Sequence, residues 1–252
     1  MLLPAVELFV REAGAVILEV YAEDFAVAHK LDDSPVTVAD QRAETVLLRS
    51  LSMLTPRIPV IAEEAVAAAG VPNPTELGER FWLVDPLDGT REFIARNGEF
   101  TVNVALIEHG EPVLGVVFAP ALGHLYAGLV GHGAWREDSD GRRAIHCRSA
   151  PTTGVDVVAS RSHGDPAALE KFLTQQNVAS VVAAGSSLKL CLLAEGRADL
   201  YPRFGRTMEW DIAAGHAVLA AAGGSVRRLD DGTALRYGKP ELENPDFIAR
   251  GA

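Results

Sequence analysis

Cysteine is scarce in this sequence, which has two among its 252 residues, Cys147 and Cys191. Two cysteines match neither the paired framework of a disulfide-rich domain nor the ligand spacing of a zinc site. The sequence therefore lacks the mark of a small secreted scaffold, and a reducing cytoplasm is the simplest setting to expect.

Basic residues are also in deficit, with 23 Lys and Arg against 34 Asp and Glu, for a net charge of -11. This balance argues against nonspecific nucleic-acid binding and against a basic helix lying on a membrane. A phosphorylated substrate would be repelled at long range, so binding one would require metal ions or local cations.

Long uncharged apolar runs are missing as well. The most apolar stretch, "MLLPAVELFVREAGAVILEVY" at the N-terminus, is interrupted by charges at Glu7, Arg11, Glu12 and Glu19. It is therefore not expected to span a bilayer, and no transmembrane segment is predicted. Its apolar residues recur with helical spacing, which predicts an amphipathic helix packed on the body of the protein. Peripheral attachment at an inner membrane remains an alternative for this helix.

The chain shows no repeats, no low-complexity tract and no linker long enough to separate independent domains. Residues 1–150 combine two helices with short β-rich runs punctuated by glycine, the pattern of an antiparallel meander. Residues 151–252 alternate strand and helix, as in an α/β layer. We therefore expect an N-terminal α+β part and a C-terminal α/β part that form one compact unit.

Acidic residues stand where the predicted elements begin or end. "RFWLVDPLDGTREF" opens as an apolar strand and then places Asp85 and Asp88 on a turn. A Glu63–Glu64 pair ends another predicted strand, and Asp40 and Asp211 stand at predicted helix starts. Taken singly, each has an ordinary explanation: a turn residue, a solvated pair or a helix N-cap.

Taken together, these acids suit a magnesium site, because Mg²⁺ prefers hard oxygen ligands and keeps several waters. Asp85 and Asp88 can both point inward, and the Leu87 carbonyl between them supplies a third oxygen. Gly89 and Thr90 then open a predicted helix, "TREFIAR", whose N-terminus is a natural seat for phosphate, although Thr90 could simply cap that helix. The pattern indicates phosphoryl transfer to water assisted by metal ions.

Five motifs carry a family resemblance over nearly the whole chain: "VDPLDGTREF", "NGEFTVNVALI", "SRSH", "GSSLKLCLLAEGRADLYPRFG" and "EWD". In this order they resemble the inositol-monophosphatase-like superfamily of metal-dependent, lithium-sensitive phosphatases, and within it the 3'(2'),5'-bisphosphate nucleotidases. The resemblance implies an α/β (α+β) fold built as a layered α-β-α-β-α sandwich. It also implies hydrolysis of adenosine 3',5'-bisphosphate to AMP and phosphate, by attack of an activated water without a covalent intermediate.

The resemblance further implies two magnesium ions. The first would be held by Glu63, Asp85 and the Leu87 carbonyl, and the second by Asp85, Asp88 and Asp211. The sequence departs from the usual pattern at two positions. Arg91 stands where lysine is more common, and Ala62 stands where glycine or serine is common.

The catalytic residues implied by the resemblance are Asp40, Glu63 and Thr90. Asp40 and Thr90 would help to activate the nucleophilic water, with a third, looser metal ion as an option. Cofactors are thus expected to be two or three Mg²⁺ ions, and the expected partner is a small nucleotide rather than a nucleic acid.

A nucleoside bisphosphate carries about four negative charges near neutral pH, so the phosphate that does not react needs its own donors. The resemblance assigns these donors to His163, Ser186, Lys189 and Arg203. Three of them have an ordinary alternative: His163 as a loop residue, Lys189 as a solvated helix residue and Arg203 as a surface ion-pair residue. The substrate contacts implied on the metal side are Glu63, Leu87, Asp88, Gly89, Thr90 and Asp211.

Three alternatives stay open at this point. A haloacid-dehalogenase-type phosphatase would use an Asp nucleophile after an apolar strand, but its acids are two residues apart, whereas Asp85 and Asp88 are three apart. A metal- and nucleotide-binding sensor without turnover is a second reading, although all the expected acids are present. Inositol monophosphatase or fructose-1,6-bisphosphatase activity is the third.

Overall fold

The computed structural model describes residues 2–23, 25–29, 35–73, 77–161 and 164–252. Helices within these ranges are α1 (Leu3–Tyr21), α2 (Val38–Leu54), α3 (Glu63–Ala69), α4 (Thr90–Ile94), α5 (Pro166–Leu173), α6 (Leu188–Ala194) and α7 (Glu209–Ala221). A 3₁₀ turn covers Pro120–Leu122.

Strands fall into two large sheets and two small ones. The first large sheet contains β3 (Val60–Ala62), β4 (Arg80–Asp88), β5 (Thr101–Glu108), β6 (Glu111–Ala119), β7 (His124–Leu129), β8 (Gly133–Asp138) and β9 (Gly141–Ile145). The second contains β10 (Val155–Ser160), β11 (Val178–Ala184), β12 (Leu200–Arg203), β14 (Ser225–Arg228) and β16 (Phe247–Arg250). Two-stranded sheets pair β1 (Val27–His29) with β2 (Pro35–Thr37), and β13 (Thr207–Met208) with β15 (Glu243–Asn244).

The seven-stranded sheet follows chain order from β3 to β9. Strand β3 runs parallel to β4, and each later neighbour is antiparallel, so the predicted meander is confirmed. On β4 the side chains of Trp82 and Val84 pack on one face and those of Phe81 and Leu83 on the other. Both faces are covered, which explains why β4 reads as a continuous apolar run rather than an alternating one.

Helices α1 and α2 cover one face of this sheet. The buried side of α1 includes Val6, Val10, Ala13 and Ile17, which pack with α2 and the sheet in one apolar cluster. The amphipathic N-terminal helix predicted from the sequence is thus confirmed as a packed helix. Among the described residues, no helix combines the length and the apolarity needed to cross a bilayer.

Helices α6 and α7 form the layer between the two large sheets. Helix α7 approaches β6 and β7 so closely that a side chain has no room at two glycines. A Cβ on Gly115 would lie 2.3 Å from the Ala214 carbonyl oxygen, and one on Gly128 would lie 2.6 Å from the Val218 Cα. Glycine at these strand positions therefore sets how near α7, which carries Asp211, lies to the sheet.

The five-stranded sheet has the order β11-β10-β12-β16-β14, with the first three strands parallel. Its outer face is covered by α5, where Phe172 and Leu173 pack against Val157, Leu200 and Ile248. The layers are therefore α1 and α2, sheet, α6 and α7, sheet, and α5, so the predicted α-β-α-β-α sandwich is confirmed. The division into parts at residue 150 stays a prediction, and the central apolar cluster contains residues from both sides of it.

Candidate active site

A β-bulge at the end of β4 brings two acids to the same side of the sheet. Asp85 pairs opposite Asn103 on β5, but Asp88 pairs opposite Thr101, so two residues of β4 face one of β5 between them. In a regular strand, residues three apart point to opposite faces. The extra residue reverses this alternation, and both carboxylates line the same cavity.

The sequence suggested that Asp40 and Asp211 could be the N-caps of their helices, but in the structure they are not. Both stand at the third helical position and use one oxygen to reach back to the start of the helix. Oδ2 of Asp40 accepts hydrogen bonds of 2.7 Å from both the backbone N–H and the hydroxyl of Thr37, the true N-cap. Oδ2 of Asp211 accepts one of 2.8 Å from the Met208 N–H. These bonds hold each carboxylate in place through Oδ2 and leave Oδ1 available for another contact.

Thr90 is not a helix cap either. The cap of α4 is Gly89, whose φ of 90° lies in the left-handed region that favours glycine. Thr90 is the first helical residue, and its hydroxyl lies 3.3 Å from Oδ1 of Asp40 and 3.4 Å from the Leu87 carbonyl oxygen. The side chain therefore connects Asp40 to the bulge of β4.

One cavity of about 540 Å³ collects most of the predicted site. The predicted residues that line it are Glu63, Asp85, Leu87, Asp88, Gly89, Thr90, Ser186, Lys189, Arg203 and Asp211. Asp40 is buried behind Thr90. His163 lies outside the described residues. Glu64, the second acid of its pair, does not line the cavity, and its N–H donates to Glu44 over 2.8 Å.

Burial and neighbouring charges raise the pKa values of the aspartates in this cavity. Burial, followed by the charges of neighbouring carboxylates, raises the pKa of Asp85 and that of Asp211 well above the ordinary range. For Asp88, burial raises the pKa to about 6 even though Lys189 acts to lower it. Burial also raises the pKa of Asp40, against the hydrogen bonds from Thr37. Several buried negative charges close together are electrostatically unfavourable, and a bound cation would stabilise them.

The donor set fits magnesium. Among the described residues, no three His, Cys, Asp or Glu side chains already converge as a coordination shell. The charges of Glu63 and Asp88 nevertheless act to raise the pKa of Asp85 and that of Asp211, so these side chains lie close enough to interact electrostatically. Mg²⁺ needs few direct carboxylates because it keeps several waters, so a loose group of hard oxygen donors suits it. These four acids and the Leu87 carbonyl are the residues that would hold the magnesium ions.

The other wall of the cavity is cationic. Lys189 is 7% exposed, and its Nζ donates 2.5 Å to the Ser186 carbonyl oxygen. Burial lowers its pKa to about 8, while Asp88 acts to raise it. Arg203 is also buried and donates 2.9 Å to the Arg206 carbonyl. Both side chains are buried, so Lys189 is not a solvated helix-surface residue and Arg203 is not a surface ion-pair residue.

The structure adds three residues to the site that were not singled out from the sequence. Thr37 orients Asp40, and Asn103 donates from Nδ2 to Oδ2 of Asp88 over 3.4 Å. Asn103 Oδ1 is buried and has no hydrogen-bond partner among the described residues. Glu99 accepts from the Gly185 N–H. Thr37 and its N3 acid form a capping box, which the pattern T-x-x-D could have indicated.

An acidic cavity suited to metal ions, set in an α-β-α-β-α sandwich, is typical of one class of phosphatases. This chain belongs to that class. The model of the inositol monophosphatase family matches residues 2–250, so the chain is a member of that family. The 3'(2'),5'-bisphosphate nucleotidase CysQ of Escherichia coli O157:H7 is 51% identical over 240 residues, which are 94% of either chain.

Solved structures agree with this relationship. The crystal structure of CysQ from Bacteroides thetaiotaomicron aligns with a TM-score of 0.81 at 36% identity, covering 96% of this chain and 94% of that one. Inositol monophosphatase from Anabaena aligns with a TM-score of 0.76 at 28% identity, covering 98% and 89%.

Proposed function

We propose that this protein is a magnesium-dependent phosphatase that removes the 3'-phosphate of adenosine 3',5'-bisphosphate, giving AMP and phosphate. The similarity to bisphosphate nucleotidases over 94% of the chain supports the substrate. The observation that carries the proposal is the pairing of an acidic, metal-suited wall with Lys189 and Arg203 in one cavity.

This pairing answers a charge problem. A nucleoside bisphosphate brings about four negative charges to a protein that is itself acidic. Asp85, Asp88 and Asp211 would hold metal ions whose positive charge compensates the charge of the phosphate that is removed. The second phosphate requires fixed cations, and buried Lys189 and Arg203 supply them. The planar guanidinium of Arg203 suits bidentate contact with phosphate oxygens.

Bound Mg²⁺ would supply a nucleophilic water at neutral pH and stabilise charge on the phosphoryl oxygens. The chain's own residues orient this water and accept its proton. The Thr90 hydroxyl donates to Oδ1 of Asp40, so its oxygen remains to accept a hydrogen bond from the attacking water. Asp40, whose pKa is raised by burial, is then a better proton acceptor than an exposed carboxylate.

Water attacks the 3'-phosphorus directly in this scheme: a new P–O bond forms as the bond between phosphorus and the 3'-oxygen breaks. The attacking water gives its proton through Thr90 to Asp40, and the 3'-oxygen of the AMP product takes a proton from solvent water. No side chain becomes phosphorylated. Glu63 lines the same side of the cavity as Asp85 and Asp88, where it would take part in holding the metal ion and its water. Gly89 and Thr90, at the start of α4, line the same cavity and would contact the phosphate that is removed.

A phosphate-release assay with magnesium tests the proposal. Three substrates are compared: adenosine 3',5'-bisphosphate, an inositol monophosphate and fructose 1,6-bisphosphate. We expect the highest kcat/KM on the nucleotide. A higher value on inositol monophosphate or on fructose 1,6-bisphosphate would replace the proposed substrate, and absence of release from all three would favour a binding protein. Recovery of an aspartyl-phosphate would contradict direct water attack.

A further inference from the structure

Glu99 connects the two walls of the cavity from outside it. It lies in the loop between α4 and β5, two residues before Thr101, which pairs opposite Asp88. Across the gap, Gly185 opens the short segment 185–189, which follows β11 and carries Ser186 and, in the first turn of α6, Lys189. A contact between Glu99 and this segment therefore ties the metal side of the cavity to its cationic side.

That contact is charge-assisted. Oε2 of Glu99 accepts a 2.8 Å hydrogen bond from the Gly185 N–H. The same carboxylate accepts bonds of 2.9 and 3.0 Å from one guanidinium nitrogen of Arg161, which also donates 3.2 Å to the Ala183 carbonyl oxygen. We call Glu99, Arg161 and Gly185 the strap. Hydrogen bonds to ionised groups are shorter and stronger than neutral ones.

The segment held by the strap is tightly specified. A Cβ on Gly185 would lie 2.8 Å from the Glu99 carbonyl oxygen, so the close approach excludes any side chain there. Ser186 has a φ of 45°, a left-handed conformation that costs free energy for a residue other than glycine. The Thr101 hydroxyl, 3.2 Å from the Ser186 hydroxyl, holds it from the same side as Glu99. A strained residue persists where its surroundings over-determine it.

The strap does little for global stability. Its charged side chains are partly exposed, 26% for Glu99 and 44% for Arg161, and ion pairs of that kind contribute little to the free energy of unfolding. Its position instead fixes the spacing between Asp88 and the residues Ser186 and Lys189. The rate of a phosphoryl transfer depends steeply on such spacing.

We propose that Glu99 is a positioning residue that, with Arg161, sets the place of Ser186 and Lys189 and so determines preference for substrates with a second phosphate. The proposal rests on the proposed function for its substrate. Glu99→Ala removes the acceptor of the Gly185 N–H. Glu99→Gln keeps a neutral acceptor and guards against a folding defect in the alanine variant.

Two measurements test it. The first is hydrogen–deuterium exchange of the 185–189 segment in the protein without substrate, where Glu99→Ala should speed exchange by about tenfold. The second is kcat/KM, which should fall by about tenfold to a hundredfold on adenosine 3',5'-bisphosphate and by far less on adenosine 3'-monophosphate. Glu99→Gln should lie between Glu99→Ala and the natural protein in both. Glu111→Ala, which breaks an ion pair with Arg236 on the surface, is the matched control and should change neither.

Unchanged exchange in Glu99→Ala would overturn the proposal, as would faster exchange with unchanged kinetics or an equal loss on both substrates. Failure of the natural protein to hydrolyse the bisphosphate would instead contradict the proposed function. In that case the exchange measurement still decides whether the strap holds the 185–189 segment. Kinetics on the substrate that is hydrolysed then decide whether the strap positions Ser186 and Lys189 for that reaction.

Discussion

The Thr90 hydroxyl and Oδ1 of Asp40 lie 3.3 Å apart, although fifty residues separate them in the chain. Oδ2 of the same Asp40 carboxylate is already occupied by two bonds from Thr37. One oxygen thus anchors the carboxylate while the other faces Thr90. This division of work is what a proton relay requires, because the accepting oxygen must be held in place.

Thr90→Ala should lower kcat by more than about tenfold while changing KM little, since it removes the relay and not a substrate charge. The loss of thermal stability should stay well below the ~1 kcal/mol of a lost N-cap, because Gly89 occupies the cap position. Steady-state kinetics and thermal melts on one preparation separate the two effects. Thr90→Ser, which keeps the hydroxyl, should retain most activity. A fall in stability with unchanged kcat would show that Thr90 is structural.

Asp88→Asn should lower turnover by about a hundredfold or more at saturating magnesium, because metal ions contribute several kcal/mol to phosphoryl transfer. The amide keeps the shape of the side chain beside Asn103, so the fold should persist. Circular dichroism and phosphate release at increasing magnesium provide the measurement. Asp230→Asn, which changes a surface partner of Arg228, serves as the control. Near-normal turnover in Asp88→Asn would remove Asp88 from the metal site.

Magnesium should stabilise the protein more at neutral pH than in acid. The folded-state pKa of Asp88 is raised to about 6, and those of Asp85 and Asp211 are raised as well. Between the unfolded value near 4 and these raised values, the native state binds more protons than the unfolded state. The free energy of unfolding of the metal-free protein therefore falls as pH rises through this window and stays lower above it.

Bound Mg²⁺ needs the deprotonated carboxylates, so its stabilisation should be small near pH 5 and should grow as pH rises through about 6, the pKa of Asp88. A hundredfold excess over Kd corresponds to about 2.7 kcal/mol. Thermal melts with magnesium and with a chelator across this range are the measurement. In Asp88→Asn the magnesium effect should shrink, and the metal-free variant should exceed the natural protein in stability above pH 6. An equal magnesium effect at both ends of the range would contradict this reading.

Much of the fold was predictable because its signals are local. Apolar periodicity and glycine punctuation located the meander, the N-terminal helix and the alternating elements after residue 150, and five motifs in order indicated the family. The bulge at Asp85 and Asp88 was not predictable, because it depends on how β4 registers against β5. Strand pairing is settled by partners that are distant in sequence.

The sequence motifs identified most of the acids and cations that line the cavity, but not the residues that hold them in place. The acids and cations belong to recognisable motifs, and the cavity collects them. Asp40 and Asp211 were expected to be the N-cap residues of their helices. They stand instead at the third helical position, because the N-caps are Thr37 and Met208. Glu99 and Gly185 are 86 residues apart, and tertiary packing alone makes them neighbours.

Gly115→Ala should destabilise the protein by about 1–3 kcal/mol, the usual cost of overpacking. The new Cβ would lie 2.3 Å from the Ala214 carbonyl oxygen and 2.7 Å from the Ala217 Cβ, so α7 must move away from β6. Because α7 carries Asp211, turnover should fall together with stability. Denaturant unfolding and phosphate release measure both. Val130→Ala, at an exposed position nearby, should change neither. A fully active Gly115→Ala variant would show that α7 does not set the metal site.

The two buried cations should determine preference for a second phosphate. Lys189→Ala and Arg203→Ala each remove a charge-assisted hydrogen bond worth roughly 1.5–3 kcal/mol, so kcat/KM on adenosine 3',5'-bisphosphate should fall about tenfold to a hundredfold or more. Hydrolysis of adenosine 3'-monophosphate should barely change, since it has no second phosphate. An equal loss on both substrates would assign these residues to the fold or the metal centre, and would favour inositol phosphates as substrates.

The pH profile provides an independent check on Lys189, whose pKa burial lowers to about 8. Its positive charge is present below that value and is lost as pH rises through it. The kcat/KM on the bisphosphate, which reports the free enzyme, should therefore decline above about pH 8. Lys189→Arg keeps its charge throughout this range, so its profile should stay flat there even if its overall efficiency is lower. The 3'-monophosphate profile of the natural protein should also stay flat. A decline of equal slope on both substrates, or one that persists in Lys189→Arg, would show that another group titrates.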